Sequence, residues 1–200
     1  MAGPRIALLQ LSKPVQRYIQ RVSGNPEPRI SERFVVTTIP LLEDGDLLLS
    51  RENWRLPNLF VPGFWGHAAI YHQGRVIEAI GDYTDPNDRT KILNGVRSEN
   101  VHRWFYQKDS IVVLRAKFMT KDERARIGIS AKTQVGKQYD YSFIPSLDAF
   151  YCSELFVWAY NEHAKTKIVL REQFGVETST PEDLYDMRDY RFEIIGEEKN

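Results

Sequence analysis

The chain has 200 residues, the length of one domain, and its 42% hydrophobic residues suffice for a folded core. Lysine and arginine together number 27, as do aspartate and glutamate, so the net charge is zero. This balance excludes the basic surface of a nucleic-acid-binding protein and a polybasic membrane patch. The single cysteine excludes an intramolecular disulfide and a cysteine-rich zinc site.

No part of the sequence has the apolar length of a membrane span, which needs about 18 residues. Near the N-terminus the longest apolar run, residues 6–9, is too short for the core of a signal peptide. We therefore predict a cytoplasmic protein without an integral membrane segment. Export would require a signal sequence that was trimmed from this chain.

The first predicted element in chain order is an amphipathic helix over residues 12–23. The turn-forming stretch 24–28 ends it, so we predict residues 1–30 to be a helical extension of the main body. With this extension included, we predict a single domain over residues 1–200, and the motifs that carry the chemistry fall within residues 43–160.

The next elements are predicted strands. Residues 46–50 are an apolar run between turn-forming residues, which is typical of a buried strand. Residues 66–71 and 75–80 predict a β-hairpin because two apolar segments flank a short turn with glycine. We predict a polar loop over residues 82–94 and a further strand over the β-branched residues 111–115.

Helices dominate the predicted second half. Thr120 and Glu123 have the spacing of a capping box, and Gly136 suits the end of that helix. An irregular aromatic stretch over residues 139–151 follows. The remaining predicted elements are a helix over residues 152–163, a short helix that begins at residues 180–181, and a closing strand over residues 191–195. Hairpins and separate helices in this order predict the α+β class.

Cys152 is the first candidate for chemistry, because it begins the predicted helix over residues 152–163. The free N–H groups and the positive end of the helix dipole favour the thiolate, which is the nucleophilic form. Backbone N–H groups of the same turn could stabilise an oxyanion. The alternative is an inert buried cysteine.

The predicted hairpin adds two partners. With a two-residue turn, Glu78 lies opposite His67 or diagonal to it, depending on which residues form the turn. In either register both side chains share one face, whereas a three-residue turn would separate them. A carboxylate there can orient the imidazole and stabilise its protonated form, leaving the other nitrogen for a thiol. The alternative is an ordinary hydrogen-bonded strand histidine and a solvated glutamate.

The other histidines are predicted to be structural. His72 falls at the hairpin turn, which predicts an exposed residue, and His102 and His163 lack partners at metal-ligand spacing. A zinc set of His67, His72 and Cys152 is rejected, because residues 67 and 72 face opposite sides of a strand.

An aromatic cluster of Trp54, Phe60, Phe64 and Trp65 precedes His67. It is open to two interpretations, a substrate-binding wall or simple loop packing.

Several motifs occur in an order that resembles a known family. They are residues 45–50 (GDLLLS), 66–71 (GHAAIY), 76–79 (VIEA), 136–143 (GKQYDYSF) and 151–155 (YCSEL). The sequence resembles the circularly permuted papain-like amidases of the YiiX/YaeF type. These belong to the NlpC-like cysteine peptidase superfamily, which includes lecithin:retinol acyltransferase-like enzymes. Histidine before cysteine is the permuted order, and the resemblance implies an antiparallel sheet packed against the helix that carries the cysteine.

The resemblance also implies residue roles. Cys152 would be the nucleophile, His67 the general base and acid, and Glu78 the third member of the triad. Tyr139 matches a tyrosine expected to line the site or help hold the oxyanion. The substrate-binding candidates are Tyr139, Trp65 and Tyr151.

The expected activity is cleavage of an amide or peptide bond through a thioester acyl-enzyme, without metal or cofactor. The family implies a small peptide substrate of the bacterial cell-wall type. One alternative is a lipid-directed acyltransferase or thioesterase that uses the same triad. Another is a non-enzymatic module that binds a peptide or lipid. Oligomeric state does not follow from the sequence.

Overall fold

A computed structural model provides the structure. It describes residues 29–53, 63–85, 88–143, 146–173 and 176–200. The predicted helix over residues 12–23 lies outside these ranges.

An antiparallel sheet forms the centre of the fold, and within the described ranges it has six strands. Its strands are β1 Leu47–Arg51, β2 His67–His72, β3 Arg75–Asp85, β4 Asp88–Asn100, β5 Ser110–Ala116 and β10 Phe192–Glu198. Their spatial order is β10-β5-β1-β2-β3-β4. Short strand pairs lie outside this sheet, formed by β6 Gln138–Tyr139, β7 Ala149–Phe150, β8 Arg171–Gln173 and β9 Val176–Thr178.

The five predicted strands of the central sheet are confirmed, but the polar loop predicted over residues 82–94 is wrong. This stretch instead belongs to a long hairpin, in which β3 runs to Asp85 and β4 returns from Asp88. The physical reason is that β4 is an edge strand. Its side chains from Thr90 to Asn94 are exposed or half-buried, so a polar composition there is compatible with a strand.

The predicted helices of the second half are confirmed. In the described ranges the α-helices are α1 Glu32–Thr38, α2 Val101–Phe105, α3 Lys121–Thr133, α4 Cys152–His163 and α5 Pro181–Asp186, and Ile39–Leu41 forms a short 3-10 helix. At the start of α3 the hydroxyl of Thr120 accepts the backbone N–H of Glu123, whose carboxylate accepts the N–H of Thr120. This is the capping box that the sequence predicts.

Both faces of the sheet are buried, because each is covered by helices. The helices α3 and α4 pack on one face, over side chains such as Leu49, Ile70 and Val112. The opposite face is covered by α1 and α2, whose Val35 and Trp104 pack near Leu48. This arrangement explains why strand β1 reads as an uninterrupted apolar run rather than an alternating one.

The segment after residue 165, which carries no recognised motif, is an integral part of the fold. Strand β10 pairs along β5, and the carboxylate of Glu182 in α5 accepts the backbone N–H groups of Phe64 and Trp65 at 2.6 and 2.9 Å. The C-terminal part therefore fixes the segment that leads into His67. Over the described ranges, no helix combines the length and apolar character needed to cross a membrane.

Candidate active site

The hairpin register decides where Glu78 lies relative to His67. Strand β2 pairs with β3 so that Ala69 is opposite Glu78, and Gln73 and Gly74 form the turn with positive φ angles of 49° and 73°. Positive φ at both central residues is the geometry of a type I′ turn. This is the second of the two predicted registers, in which His67 and Glu78 are diagonal neighbours on one face.

His67 and Glu78 form a direct contact. The Nε2 atom of His67 lies 2.7 Å from Oε2 of Glu78. His67 is 6% exposed and Glu78 is fully buried, so water does not compete for this bond. The contact at Nε2 leaves Nδ1 of the same ring free to face a thiol.

Glu78 is held by further donors that sequence reasoning did not identify. Arg97 reaches Oε1 through Nε at 2.9 Å and through Nη2 at 2.7 Å, and the indole Nε1 of Trp104 donates to Oε2 at 2.8 Å. Burial alone would raise the pKa of Glu78, but the charge of Arg97 and the contact with His67 outweigh it. The pKa of Glu78 therefore lies well below its usual value, and the side chain is a carboxylate.

Cys152 is the first residue of α4, as the sequence predicts, and it is half-buried. The imidazole of His67 and the backbone N–H groups of Ala68 and Ser153 lie close enough to its sulfur to lower the pKa of the thiol. The pairing of β2 with β3 ends at Ala69 and Glu78. The N–H of Ala68 is therefore beyond the paired part of the hairpin, where it can interact with the sulfur of Cys152.

The electrostatics of this cluster favour an ion pair. Burial raises the pKa of the Cys152 thiol, but the hydrogen bond and charge of His67 outweigh it, so the pKa lies below its usual value. For His67, burial lowers the pKa, but the hydrogen bonds to Cys152 and Glu78 raise it above the usual value overall. Both shifts favour a thiolate beside an imidazolium, which is the reactive state of a cysteine nucleophile.

Glu154 connects helix α4 to the loop before it. Its carboxylate accepts the backbone N–H of Tyr151 and that of Ser146, each at 3.2 Å. Burial raises the pKa of Glu154 to about 7. The two hydrogen bonds lower the pKa by less than burial raises it, and the charge of Asp140 raises it further. Glu154 therefore titrates close to neutral pH, two residues from the thiol.

This raised pKa predicts a pH-dependent stability that Glu154→Gln removes. The folded protein binds the proton more tightly than the unfolded chain, whose Glu154 titrates near 4.5, so stability falls as the pH rises from about 4.5 to about 7. The shift from 4.5 to about 7 corresponds to about 3 kcal/mol. Urea unfolding at pH 5 and pH 8 should show a smaller difference between the two pH values for Glu154→Gln than for the wild type. Equal differences in both proteins would contradict the prediction.

The structure places the three substrate-binding candidates differently. Tyr139, in β6, is half-buried, and its ring lies against Gly81 and 4.9 Å from the ring of Tyr141. Tyr151 is buried, and its hydroxyl accepts a hydrogen bond from Thr178 Oγ1 at 3.0 Å. Tyr139 is thus the candidate with exposed surface.

Trp65 has no exposed surface, and its ring lies 5.5 Å from that of Tyr185. Phe64 is half-buried and packs edge-on against Trp65 at 5.0 Å. Trp54 and Phe60, the other members of the predicted cluster, lie outside the described residues. Where the cluster is described, loop packing accounts for its contacts.

The prediction for His72 is wrong, since this side chain is buried rather than exposed. The turn consists of residues 73 and 74, which leaves His72 as the last residue of β2. Its ring packs on Gly128 of α3, and its Nδ1 lies 3.3 Å from Oδ2 of Asp44. His72 therefore faces the side of the sheet opposite His67, in agreement with the parity argument against a shared zinc site.

The two remaining histidines have other surroundings. His102 is exposed, and Nε2 of His163 contacts Oγ of Ser130 at 2.8 Å. In the part of the chain that the structure describes, no three His, Cys, Asp or Glu side chains converge as a metal site.

Comparisons with known proteins agree with this geometry. The model of a family described as permuted papain-like amidase enzyme, YaeF/YiiX, C92 family, matches residues 41–191. Among solved structures, the crystal structure of metalloprotein yiiX from Escherichia coli O157:H7 is similar with a TM-score of 0.61 and 18% sequence identity, and the match covers 79% of this chain and 98% of that chain. At that identity the similarity shows the fold.

A search of curated proteins finds no match. The family match spans well over half of the chain and includes both the hairpin and the cysteine helix. The predicted resemblance and the permuted papain-like α+β fold are thus confirmed. The chain belongs to the permuted papain-like amidase family C92, a family of cysteine peptidases and amidases, and it is accordingly an enzyme of the cysteine hydrolase class.

Proposed function

We propose that this enzyme hydrolyses an amide bond of a short peptide with Cys152 as nucleophile, His67 as general acid and base, and Glu78 as the residue that orients His67. The observation that carries the proposal is the position of His67, which contacts the carboxylate of Glu78 on one side and the thiol of Cys152 on the other. A nucleophile, a base and an orienting group in this order form a catalytic triad.

The chemistry proceeds in two steps. The thiolate of Cys152 attacks the amide carbonyl, and the imidazolium of His67 donates its proton to the departing nitrogen. The C–N bond breaks, the nitrogen leaves as an amine, and the acyl group stays on Cys152 as a thioester. His67, now neutral, accepts a proton from water as the water attacks the thioester. The carboxylic acid forms and the thiolate is restored with the imidazolium. In both steps the backbone N–H groups at the start of α4 supply hydrogen bonds to the oxyanion.

The substrate class rests on the family and on the local surface. An amidase family supports an amide substrate, and we extend this to a short peptide of the cell-wall type, with Tyr139 as the residue that lines the site. A lipid substrate would require an apolar wall for an acyl chain. Of the aromatic residues considered for that wall, the structure describes two: Trp65, which has no exposed surface, and Phe64, which is packed against it. On these two residues we place the amide first.

The solved relative from Escherichia coli is described as a metalloprotein. The candidate donors of this chain do not fit a metal, because the oxygens of Glu78 already accept from Arg97, Trp104 and His67. A guanidinium in contact with the carboxylate also opposes a divalent cation there. The mechanism proposed for this chain therefore contains no metal-dependent step.

Alkylation of the single cysteine by iodoacetamide tests the nucleophile and its base. Because the pKa of Cys152 is lowered by His67, the wild type should react well below about pH 8.5, where a free thiol titrates. In His67→Ala the thiol stays half-buried but loses the imidazolium, so its reaction at about pH 6 should slow by at least about tenfold. The measurement is the second-order rate constant from about pH 4 to pH 10.

His163→Gln is the matched control, since it removes a histidine from the far end of the same helix. It should leave the alkylation profile unchanged. If the wild type and His67→Ala titrate together near the free-thiol value, the triad proposal fails and a binding module becomes the better interpretation.

A further inference from the structure

We propose that Arg97 and Trp104 are positioning residues of this enzyme, which fix the carboxylate of Glu78 in the orientation that holds His67 against Cys152. The inference rests on the proposed function, because it assigns the residues that support the proposed triad. Both residues contact Glu78, so they are proposed to act through that carboxylate and not as catalytic residues.

Arg97 constrains one oxygen of the carboxylate. It lies on β4 directly opposite Glu78 on β3, so the pairing of the two strands sets the distance between their backbones. Two of its nitrogens, Nε and Nη2, contact Oε1 at 2.9 and 2.7 Å. A planar guanidinium with two nitrogens on one oxygen resists rotation of the carboxylate about its own axis.

Trp104 constrains the other oxygen. Its Nε1 donates to Oε2 at 2.8 Å, and Oε2 is the atom that His67 contacts. Since an indole N–H can only donate, it occupies one lone pair of Oε2 and leaves the other for the imidazole. The ring is fully buried in α2, which Asn100 caps by accepting the N–H of Arg103. The donor therefore has a fixed position.

A buried ion pair in turn holds the indole. The Nζ atom of Lys108 lies 4.9 Å from the centre of the Trp104 ring and 2.5 Å from Oε1 of Glu52. Both charged side chains are 2% exposed, so the ammonium is fixed over the ring in a site with little water. Its positive charge also contributes to the lowered pKa of Glu78. A continuous chain of contacts thus runs from Glu52 to the thiol.

This chain of contacts spans the elements packed around Glu78. Several titratable or charged groups face Glu78 directly or through one neighbour. They are His67 from β2, Cys152 from α4, Arg97 and Glu99 from β4, Lys108 after α2, and Glu52 after β1. Substituting the uncharged Trp104 changes the orientation of the carboxylate without removing any of these charges. Trp104→Phe is therefore the cleanest test of positioning.

The test measures iodoacetamide alkylation against pH for Trp104→Phe, Arg97→Gln and Arg97→Lys. If Glu78 is no longer held toward His67, the low-pH reactivity of Cys152 should fall by about tenfold in Trp104→Phe and in Arg97→Gln, and Arg97→Lys should restore part of it. In a Glu78→Gln background, Trp104→Phe should cause no further loss, because both residues act through the same carboxylate.

Arg115→Gln provides the matched control. Arg115 on β5 also holds a fully buried carboxylate, that of Asp46, through contacts at 2.8 and 2.7 Å. The backbone carbonyl of Asp46 accepts the backbone N–H of Tyr71, so this pair lies beside the opposite end of β2 from His67. Arg115→Gln should lower the free energy of unfolding without changing the alkylation profile of Cys152. Thermal unfolding of each variant confirms that the comparison is made on folded protein.

The outcomes separate this inference from the function on which it rests. A wild type without low-pH reactivity would refute the triad itself. A wild type with that reactivity, retained in full by folded Trp104→Phe, would overturn the positioning role of Trp104. A further loss in the Glu78→Gln background would also overturn it, because Trp104 would then act by another route. If Arg97→Gln does not fold, Arg97→Lys decides for Arg97, since full retention of reactivity with one flexible ammonium would contradict the need for the guanidinium.

Discussion

Cys152→Ala should abolish amide hydrolysis, with kcat/KM falling by at least about 10⁴-fold. The expected loss is this large because the thiolate forms the covalent intermediate, and no other cysteine exists in the sequence to replace it. The side chain is small and half-buried, so the substitution leaves the fold intact. The measurement compares initial rates of both proteins on short peptide amides, with thermal unfolding as the control for folding.

The same assay distinguishes the two substrate classes. The proposed amidase should release amine from a peptide amide and show Cys152-dependent turnover there. Faster deacylation of long-chain acyl esters than of peptides would favour the lipid-directed alternative while leaving the nucleophile in place. Peptide cleavage that survives Cys152→Ala would contradict the role of the thiol.

Glu78→Gln should lower both activity and stability. An amide cannot stabilise the imidazolium of His67 as a carboxylate does, and we expect kcat to fall by about 10²–10⁴-fold. The substitution also leaves the Arg97 guanidinium, which is 19% exposed, without its buried partner. Breaking a buried ion pair in this way costs about 3–5 kcal/mol in the free energy of unfolding. Urea unfolding at neutral pH measures the stability, and peptide-amide turnover measures the activity.

Glu99→Gln is the control for this variant, because Glu99 contacts the same Arg97, at 3.4 Å, while it is Glu78 that contacts His67. It should lower the free energy of unfolding by about 1 kcal/mol or less and should leave the alkylation profile of the thiol unchanged.

The pH dependence of stability provides a second check on Glu78. The pKa of Glu78 is lowered, so its stabilising contribution is present above about pH 4.5 and is lost on acidification. Glu78→Gln should lack this acid-sensitive part. Equal effects of Glu78→Gln and Glu99→Gln on activity and stability would contradict a special role for Glu78.

The sequence contained enough information for the contacts that depend on local periodicity. Alternation along a strand places His67 and Glu78 on one face whenever the turn has two residues, and Gln73-Gly74 is such a turn. Cys152 begins a helix that is recognisable from its own sequence. Periodicity could therefore predict His67 beside Glu78 and Cys152 at the start of a helix, whereas the meeting of the thiol with the imidazole was expected only from the family resemblance. The structure brings the three side chains together.

The contacts that were not predicted are those between distant elements. Arg97 faces Glu78 only because β3 and β4 form one hairpin. The polar composition of the exposed edge strand indicated a loop, so this pairing was not predicted. Had that hairpin been recognised, the cross-strand pair of opposite charges would have followed. Trp104 gave no such signal, since a buried tryptophan is ordinarily a core residue and its N–H partner lies 26 residues away.

The hydrogen bonds from the backbone of Phe64 and Trp65 to the carboxylate of Glu182 have a consequence for biosynthesis. Glu182 lies 117 residues after Trp65, so a chain made from its N-terminus completes His67 long before it can complete the support of the segment leading to that residue. Closing a loop of this length costs conformational entropy before the contact stabilises the chain, so we expect this support to be completed late. Cys152 also follows His67 in the chain, so synthesis must proceed well beyond the hairpin before the thiol and the imidazole can meet. We therefore expect the reactive ion pair to reach its final geometry only after the C-terminal part has been made.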